Sequence, residues 1–377
     1  GGPGTGKTLT TRVIVEIFKQ KNATILLGAP TGKAAKRLES CGHEAKTIHR
    51  LLEYSPKLGG FQKGEKSPLE CDVLIIDESS MADISLIYHL IQAVPYGAHL
   101  VIIGDADQLP SVGPGLVMRH LVTAGVLPLT ILNQIYRQQE GSGIVQIAHY
   151  INKGIIPKQT DFSKDCIFLH QENPVQAVTK VVEVVTKLRA EGVEAQVISP
   201  MHKGEAGTIR LNEVLQDTLN PIPHGEKETY QIESGFRKFR VNDRVIQMKN
   251  DYDKEVFNGD SGIIESIDHE EQQLTVSFDG RGSVVYDFLD LDQLALSYAI
   301  TVHKSQGSEY HTIIVLCLTQ HYIMLARNLL YTAVSRAKKR AIIVGAPKAM
   351  SIAIRNDKQK ARYTRLKERL ISIPTSI

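Results

Sequence analysis

The first eight residues of the chain, GGPGTGKT, have the types and spacing of a phosphate-binding loop. They fill the pattern G-x-x-x-x-G-K-[ST] with Gly1, Gly6, Lys7 and Thr8. In such a loop, glycines let backbone N–H groups face the α- and β-phosphates, the lysine reaches the β- and γ-phosphates, and the hydroxyl binds Mg²⁺. The alternative is a flexible glycine-rich terminus. The nucleotide-binding residues predicted here are Gly2, Gly4, Thr5, Gly6, Lys7 and Thr8.

Two carboxylates follow a short apolar run, VLII, which has the features of a buried strand. A buried carboxylate is costly unless it binds a cation, and this requirement fits Asp77 as a ligand of Mg²⁺. Glu78 is then placed to orient and deprotonate an attacking water. Together with the loop, the pair predicts a site that hydrolyses ATP or GTP.

Three further polar residues are candidates for the same site. Gln108 lies in GDADQLPSVGPG (104–115), where it could contact the γ-phosphate or the attacking water; the alternative is a simple Gly/Asp/Pro turn. Arg137 and Arg336 are candidate cationic clamps, because a guanidinium suits the charge that spreads over a transferred phosphoryl group. A single arginine is more often a surface residue, so both predictions depend on their context.

The elements that must position these residues alternate along the chain. Short apolar runs at 23–30, 72–78 and 99–105 have the character of buried parallel strands, and Leu9–Gln20 has that of the helix after the loop. This alternation predicts a doubly wound α/β domain that binds ligands at the carboxyl ends of its strands. Such a loop normally follows a strand, and neither that strand nor an initiator Met precedes Gly1. We therefore expect a piece of a longer protein that binds ATP weakly on its own.

The rest of the chain predicts a second α/β lobe and two insertions. Alternating short runs between about 230 and 290, separated by NG and DGRG, are hairpin signals for a small antiparallel barrel. We expect a first lobe at 1–164, with a surface hairpin or loop at 53–70, and a second lobe formed by 165–229 and 291–377.

Composition restricts the class of protein but not its partner. The chain is 42% hydrophobic and 23% charged with a net charge of +3, which is ordinary for a globular protein and neutral on nucleic-acid binding. Four scattered cysteines favour a reduced, cytoplasmic compartment and fit no metal-ligand spacing. No apolar run is long enough to span a membrane, so no membrane partner is expected.

The ordered motifs resemble superfamily 1 DNA helicases, and specifically the RecD-like group. The blocks that carry the resemblance are GGPGTGKT, LLGAPTGKAAKRL, TIHRLL, LIIDESSM, GDADQLPSVGPG, IYRQ, ISPMHKGEAGTIRLN, NDRVIQMKNDYDKEVFNGDSG, SYAITVHKSQGSEY and LLYTAVSRAKK. TIHRLL and the NDRV…NGDSG stretch are typical of that group, whereas the other blocks are shared more widely.

The resemblance implies two RecA-like lobes that bind ATP between them and move 5′→3′ along single-stranded DNA. It implies that Arg336 is an arginine finger, that Arg137 contacts the γ-phosphate and that Glu309 contacts the nucleotide sugar. It also implies that 53–70 is a pin-like hairpin that splits the duplex. The barrel would be a Src-homology-3-like insert that helps to hold the strand. The DNA-contact positions that match are Thr31, Lys33, Thr47, His49, Thr301, His303 and Lys304.

Two alternatives remain open beside a DNA helicase. The first is an RNA helicase of the same superfamily, whose ATP site would be identical. The second is a non-catalytic ATP-binding subunit of a recombination complex, against which the full set of catalytic residue types argues. For the helicase, we expect ATP and Mg²⁺ as cofactors. We expect single-stranded and forked DNA as partners, with a recombination or nuclease complex as a further one.

Overall fold

The computed structural model describes residues 1–133, 142–223, 225, 230–235, 237–251, 253–279, 282–357 and 362–372. These residues form two compact units. One unit is Gly1–Val145 with the described part of Lys358–Ile377, and the other is Gln146–Asp357. Within the described ranges, no helix combines the length and the apolarity needed to cross a membrane.

The first unit is built on a parallel sheet of four strands in the order β2-β1-β3-β4. Its strands are β1 (Ile25–Ala29), β2 (Ala45–Thr47), β3 (Val73–Ile76) and β4 (His99–Ile102). Its helices are α1 (Lys7–Gln20), α2 (Gly32–Leu38), α3 (Ile48–Leu51), α4 (Ile84–Ala93) and α5 (Val117–Ala124), with short 3₁₀ turns at Glu39–Cys41 and Ser79–Met81.

Strand β3 is buried on both faces, which explains its continuous apolar sequence. Val73 and Ile75 pack in the core that includes Val15 of α1, whereas Leu74 and Ile76 pack in the core of α4. Helices therefore cover both faces of the sheet, and the expected doubly wound architecture is confirmed.

The second unit contains a parallel sheet of five strands in the order β14-β6-β15-β16-β5. Its strands are β5 (Cys166–His170), β6 (Ala195–Ser199), β14 (Ala299–Thr301), β15 (Tyr310–Cys317) and β16 (Ala337–Gly345). Its helices are α6 (which begins in the first unit, Gly143–Lys153), α7 (Pro174–Ala190), α8 (Thr208–Leu219), α9 (Arg327–Ser335) and α10 (Pro347–Arg355), with 3₁₀ turns at Gln159–Asp161, Phe288–Gln293 and Thr319–Met324.

An antiparallel insert lies between β6 and β14 in the chain. Its five-stranded sheet has the order β12-β11-β10-β9-β13 around a core that includes Phe239, Leu274 and Tyr286. The strands are β9 (Arg244–Gln247), β10 (Ser261–Asp268), β11 (Gln273–Phe278), β12 (Gly282–Asp287) and β13 (Leu294–Leu296), and a separate two-stranded sheet joins β7 (Gln231–Ser234) to β8 (Arg237–Arg240).

The buried carboxylate of Asp243 joins this insert to the second unit. It accepts hydrogen bonds from the Asn220 side chain at 2.8 Å and from the Tyr298 hydroxyl at 2.9 Å, and Gln216 donates to it as well. Burial raises the pKa of Asp243, while the hydrogen bonds that it accepts act in the opposite direction. Asp243 lies immediately before β9, so these hydrogen bonds fix the position of β9 relative to the end of α8.

The observed boundaries differ from the expected ones in three places. The second unit starts at Gln146 rather than 165, because Gly154, just after α6, lies against the guanidinium of Arg327. The barrel sheet continues to Leu296, since β13 pairs with β9. Helix α11 (Leu366–Ser372) belongs to the first unit rather than the second lobe, because Leu366 packs against the core of α4 and α5.

The segment expected as a surface hairpin at 53–70 contains two tight turns. Each is closed by an isolated antiparallel bridge, one between Ser55 and Gly60 and one between Gly64 and Ser67. Leu58 is 71% exposed, whereas Leu69 is 4% exposed and belongs to the core of the first unit. The segment is therefore anchored at its base, with an apolar side chain at its tip.

Candidate nucleotide-binding site

The phosphate-binding loop ends where α1 begins. Gly4 and Gly6 have φ angles of +74° and +86°, in the left-handed region that favours glycine. Gly6 is the N-cap of α1 and brings no side-chain acceptor to the first N–H groups of the helix. Helix N-termini attract anions, since their N–H groups and their dipole point toward the ligand. The residues present thus fit a nucleotide phosphate.

Side chains within the loop are held by its own carbonyl groups. The ammonium of Lys7 donates to the carbonyl oxygens of Gly1 at 2.7 Å and of Gly2 at 2.8 Å. The hydroxyl of Thr5 also donates to Gly2, at 2.8 Å. Thr8, the predicted Mg²⁺ ligand, is exposed in the first turn of α1. The loop therefore folds around the ammonium group of Lys7, which binds two of its carbonyl oxygens.

Asp77 and Glu78 lie at the carboxyl end of β3, and both are buried. Burial is the main cause that raises the pKa of Asp77, followed by the neighbouring charge of Glu78; Arg37 and Lys7 act in the opposite direction. Such a carboxylate is costly without cations close by. This need fits Asp77 as a Mg²⁺ ligand.

Arg37 of α2 supplies a positive charge to both carboxylates. Its Nη2 atom lies 2.6 Å from Glu78 Oε1 and 3.5 Å from Asp77 Oδ2. Glu78 has a φ angle of +52°, which is unfavourable for a residue with a side chain and is found mostly at functional sites. Its backbone N–H donates to Asp77 Oδ1 at 2.8 Å, so the two carboxylates form one connected group.

Gln108 lies in the loop after β4, close to the other site elements of the first unit. It is buried, and its side-chain amide donates to Asp105 Oδ2 at 3.1 Å. The amino group of Gly1 donates to the carbonyl of Gly104 at 3.1 Å, which joins this loop to the phosphate-binding loop. The structure therefore brings the loop, Asp77, Glu78 and Gln108 together at the carboxyl ends of parallel strands.

The predicted site residues of the second unit are held within that unit. The buried guanidinium of Arg336 donates to the carbonyl oxygens of Ser308 at 3.2 Å and Thr332 at 3.3 Å. Glu309 forms an ion pair with Lys338 at 3.5 Å. Arg137 lies outside the described residues. The roles of these three in nucleotide binding stay predictions.

Two of the predicted DNA-contact residues in the first unit are helix N-caps. The hydroxyl oxygen of Thr31 accepts from the N–H of Ala34 at 3.3 Å, and that of Thr47 accepts from Arg50 at 3.2 Å. Lys33 lies in the first turn of α2 and is half-buried. Capping is a structural role that these hydroxyls have in addition to the predicted one.

His49 lies among aromatic rings at the base of the 53–70 segment. Its ring centroid is 5.7 Å from that of Tyr54 and 5.6 Å from that of Phe61. Burial lowers the pKa of His49, so the neutral ring is favoured. A neutral ring in an aromatic group fits stacking on a base better than pairing with a phosphate.

The second group of predicted DNA-contact residues follows β14. Thr301 is buried, and its hydroxyl oxygen accepts from the N–H of Lys304 at 3.3 Å. The ammonium of Lys304 donates to Asn258 of the insert at 2.7 Å. Burial lowers the pKa of Lys304 and that of His303. The contact between Lys304 and Asn258 thus connects this motif to the barrel.

Lysines of the insert are paired with carboxylates. Lys249 lies 2.5 Å from Asp292, and Lys254 lies 3.2 Å from Asp290 and above the ring of Tyr286. These ion pairs favour a position at the solvated rim of the insert over contact with a nucleic-acid phosphate.

Sequence reasoning missed Arg37, Asp105 and Asn258. For Arg37, a signal was available, because Lys33 and Arg37 are four residues apart and so lie on one face of the helix. Asp105 stands three residues before Gln108, which is the spacing of a turn. For Asn258 no local signal exists, since its contact with Lys304 joins distant parts of the chain.

Three family models match the chain. An AAA domain matches residues 1–114, the SH3 domain of ATP-dependent RecD-like DNA helicases matches 211–278, and the C-terminal domain of UvrD-like helicases matches 296–344. The second match begins within α8, earlier than the expected barrel, and the third covers the motifs around Lys304 and Arg336.

Curated relatives resemble the chain over almost its whole length. The ATP-dependent RecD2 DNA helicase of Deinococcus radiodurans is 40% identical over 98% of this chain and 49% of the relative. The RecD subunit of the RecBCD enzyme of Mycolicibacterium smegmatis is 29% identical over 98% of this chain and 71% of the relative. The chain thus spans about half the length of the first of these proteins. The resemblance to RecD-like helicases is confirmed.

Solved helicase structures share the fold. A Pif1 helicase from Bacteroides, crystallised with ADP-AlF3 and single-stranded DNA, has a TM-score of 0.55 at 20% identity and covers 91% of this chain and 87% of that structure. Pif1 helicase from Candida albicans has a TM-score of 0.52 at 18% identity, covering 98% and 93%. The expected fold class, two parallel-sheet lobes with a small antiparallel insert, is confirmed.

Proposed function

From its RecD-like character, we propose that this chain contains the motor of an ATP-dependent DNA helicase that moves 5′→3′ on single-stranded DNA and unwinds duplexes in recombination and repair. One observation supports the proposal most directly. The phosphate-binding loop, the Asp77–Glu78 pair and Gln108 converge at the carboxyl ends of one parallel sheet. That arrangement suits hydrolysis of a bound triphosphate.

ATP is the proposed substrate of the motor, and each predicted site residue of the first unit has a specific proposed role. The N–H groups at the start of α1 and the ammonium of Lys7 would bind phosphate oxygens. Thr8 and Asp77 would hold Mg²⁺, which when bound neutralises charge on the phosphates. Glu78 would accept a proton from the attacking water, and Gln108 would orient that water.

The second unit would complete the site through arginine. Arg336 and Arg137 would neutralise the charge that develops on the γ-phosphoryl group. To do so, Arg336 would exchange its hydrogen bonds with Ser308 and Thr332 for phosphate oxygens. Alternation between these two sets of partners would tie ATP turnover to movement of the units.

DNA would be gripped by residues of both units. Thr31, Lys33, Thr47 and His49 would hold the strand in the first unit, and Thr301, His303 and Lys304 in the second. The 53–70 segment would act as the pin. A recombination or nuclease complex is the proposed partner, because the RecD relatives are named as subunits of the RecBCD enzyme. With a DNA substrate and four free cysteines, we propose a cytoplasmic location.

Strand displacement on duplexes with a 5′ or a 3′ single-stranded tail tests the proposal. We expect ATP-dependent unwinding of the 5′-tailed duplex only. Lys7→Ala should abolish both ATP turnover and unwinding while single-stranded DNA binding remains. Lys21→Ala, which removes an exposed lysine at the end of α1, is the matched control and should behave as the wild type.

The other outcomes identify the alternatives. Stimulation of ATP turnover by RNA but not by DNA would indicate an RNA helicase. ATP binding without turnover on any nucleic acid would indicate a non-catalytic subunit. Unwinding from the 3′ tail would contradict the proposed direction.

A further inference from the structure

The ion pair between Arg37 and Glu78 connects two sites that the proposed function keeps separate. Arg37 lies near the end of α2, and its Nη2 atom is 2.6 Å from Glu78 Oε1. The start of the same helix carries Thr31 and Lys33, both proposed to contact DNA. From Lys33 to Arg37 the helix rises only about 6 Å. The short helix α2 therefore connects the residues proposed to contact DNA with the carboxylate of Glu78.

The contact restrains Glu78 in two ways. A carboxylate oxygen that accepts a charge-assisted hydrogen bond from a guanidinium has less hydrogen-bonding capacity left for a water molecule than an unpaired oxygen. The pair also fixes the side chain, since the exposed fractions of the Arg37 and Glu78 side chains are 23% and 5%. In this arrangement the carboxylate of Glu78 is held in place by its ion pair with Arg37.

The backbone of Glu78 indicates that the arrangement stores strain. Its φ angle of +52° is costly for a residue with a Cβ atom, and such strain persists only where neighbouring groups enforce it. Here the neighbours are Arg37, the N–H···Oδ1 hydrogen bond to Asp77 and the hydrogen bond from Ser79 N–H to the carbonyl of Ile103. Release of Arg37 would remove one of these restraints.

The start of α2 carries two of the residues that are proposed to contact DNA, Thr31 and Lys33. Thr31 caps the helix through its hydroxyl oxygen, which accepts from Ala34 at 3.3 Å. A phosphate that engages the Thr31 hydroxyl or the Lys33 ammonium competes with the local contacts of this first turn. A shift of the first turn moves the whole seven-residue helix, including Arg37.

We propose that Arg37 is a positioning residue that restrains Glu78 in the absence of DNA, and that DNA binding at the start of α2 releases it for hydrolysis. The inference rests on the proposed function and adds to it the link by which strand binding stimulates ATP turnover. Arg37 acts through Glu78 and not on the nucleotide itself.

The test compares ATP turnover with and without oligothymidylate in the wild type, Arg37→Gln and Arg37→Lys. Arg37→Gln should raise the DNA-free turnover rate and reduce the stimulation by DNA at least about fivefold, the lower end of typical coupling between sites. Arg37→Lys should keep most of the stimulation, because its ammonium still pairs with Glu78. Lys36→Gln removes the same charge from an exposed position of α2 and should match the wild type.

The results separate the inference from the function on which it rests. Wild-type protein without DNA-stimulated turnover would contradict the proposed function. Suppose instead that DNA stimulates the wild type normally. If folded Arg37→Gln then has no turnover, or has turnover lowered equally with and without DNA, only the inference is contradicted. The affinity for fluorescent oligothymidylate, measured by anisotropy, should be unchanged in Arg37→Gln.

Hydrogen exchange on the wild type keeps the test decisive if Arg37→Gln does not fold. Saturation with oligothymidylate, without nucleotide, should change the exchange of the amides at 77–79 as well as those at 32–38. Exchange that changes only at 32–38 would overturn the inference, since DNA would then reach α2 without reaching Glu78.

Discussion

The side-chain amide of Gln108 donates to Asp105 at 3.1 Å, and both residues are buried in the loop that follows β4. Asp105 also accepts from the N–H of Asp107 at 3.1 Å through its other carboxylate oxygen. One carboxylate therefore sets both the backbone of the turn and the direction of the glutamine side chain. The carboxylate of Asp105 therefore orients the Gln108 side chain, in addition to the rotamer preference of the glutamine itself.

Replacement of Asp105 should impair catalysis more than nucleotide binding. In Asp105→Ala, Gln108 loses the acceptor that orients it, so kcat for ATP should fall about tenfold, as expected for a hydrogen bond to a charged group, with little change in KM. Steady-state ATP turnover at saturating oligothymidylate measures both. Asp107→Ala, at the exposed neighbour, is the control. An increase in KM at constant kcat would show that Asp105 serves binding instead.

Local patterns were enough to predict the elements that carry the site. The strand that ends before Asp77 is apolar throughout because both of its faces are covered, and the glycines of the loop are needed at positive φ. These are properties of short segments, so the sequence alone reveals them. The helix expected to start at Leu9 starts at Lys7, within the usual uncertainty of helix ends.

Contacts between distant segments could not be predicted in the same way. Arg37 meets Glu78 because β1 and β3 are paired in register, with Gly28 beside Ile76, so that α2 and the end of β3 leave the sheet together. That register depends on the whole sheet. Helix α11 likewise joins the first unit through Leu366, and nothing in its basic sequence indicates which core it covers.

The tip of the 53–70 segment should matter for unwinding and not for ATP turnover. Leu58→Ser removes an exposed apolar side chain that would pack against the end of a duplex, so the unwinding rate should fall roughly tenfold, since burial of a leucine contributes at least about 1.5 kcal/mol. Strand displacement and DNA-stimulated ATP turnover, measured in parallel, check this. Unchanged unwinding would contradict the pin assignment.

Leu69 provides the contrast within the same segment. Because Leu69 is buried in the core, Leu69→Ala should lower the free energy of unfolding by about 2–5 kcal/mol. Deletion of the whole segment would therefore confuse the loss of a pin with the loss of stability. Substitution at Leu58 avoids this.

Arg362 should hold the loop that follows Gln108. Its guanidinium donates to the carbonyl oxygens of Ser111 at 2.8 Å, Gly113 at 2.5 Å and Gly115 at 2.8 Å. Arg362→Ala leaves these carbonyls without a charged donor, so the free energy of unfolding should fall by about 2 kcal/mol and the amides of 111–115 should exchange faster. Urea unfolding and hydrogen exchange measure the two effects.

The matched control for Arg362 is Arg365→Ala, at an exposed position of the same segment. It should leave exchange at 111–115 unchanged. Equal protection of that loop in Arg362→Ala and the wild type would show that the packing of Gly113 against Asp83 is enough to hold it.

His321 should make the protein less stable in mild acid. Burial lowers the pKa of this histidine to about 4, whereas in the unfolded chain it lies near the ordinary 6.5. Between these values the unfolded state binds more protons, so stability is full above pH ~6.5 and is lost as the pH falls, by about 2 kcal/mol from pH 7 to pH 5. His321→Gln should remove this part of the pH dependence, and His170→Gln, at an exposed histidine, should not. Urea unfolding at the two pH values measures it, and an equal loss in the wild type and His321→Gln would show that other groups cause the acid sensitivity.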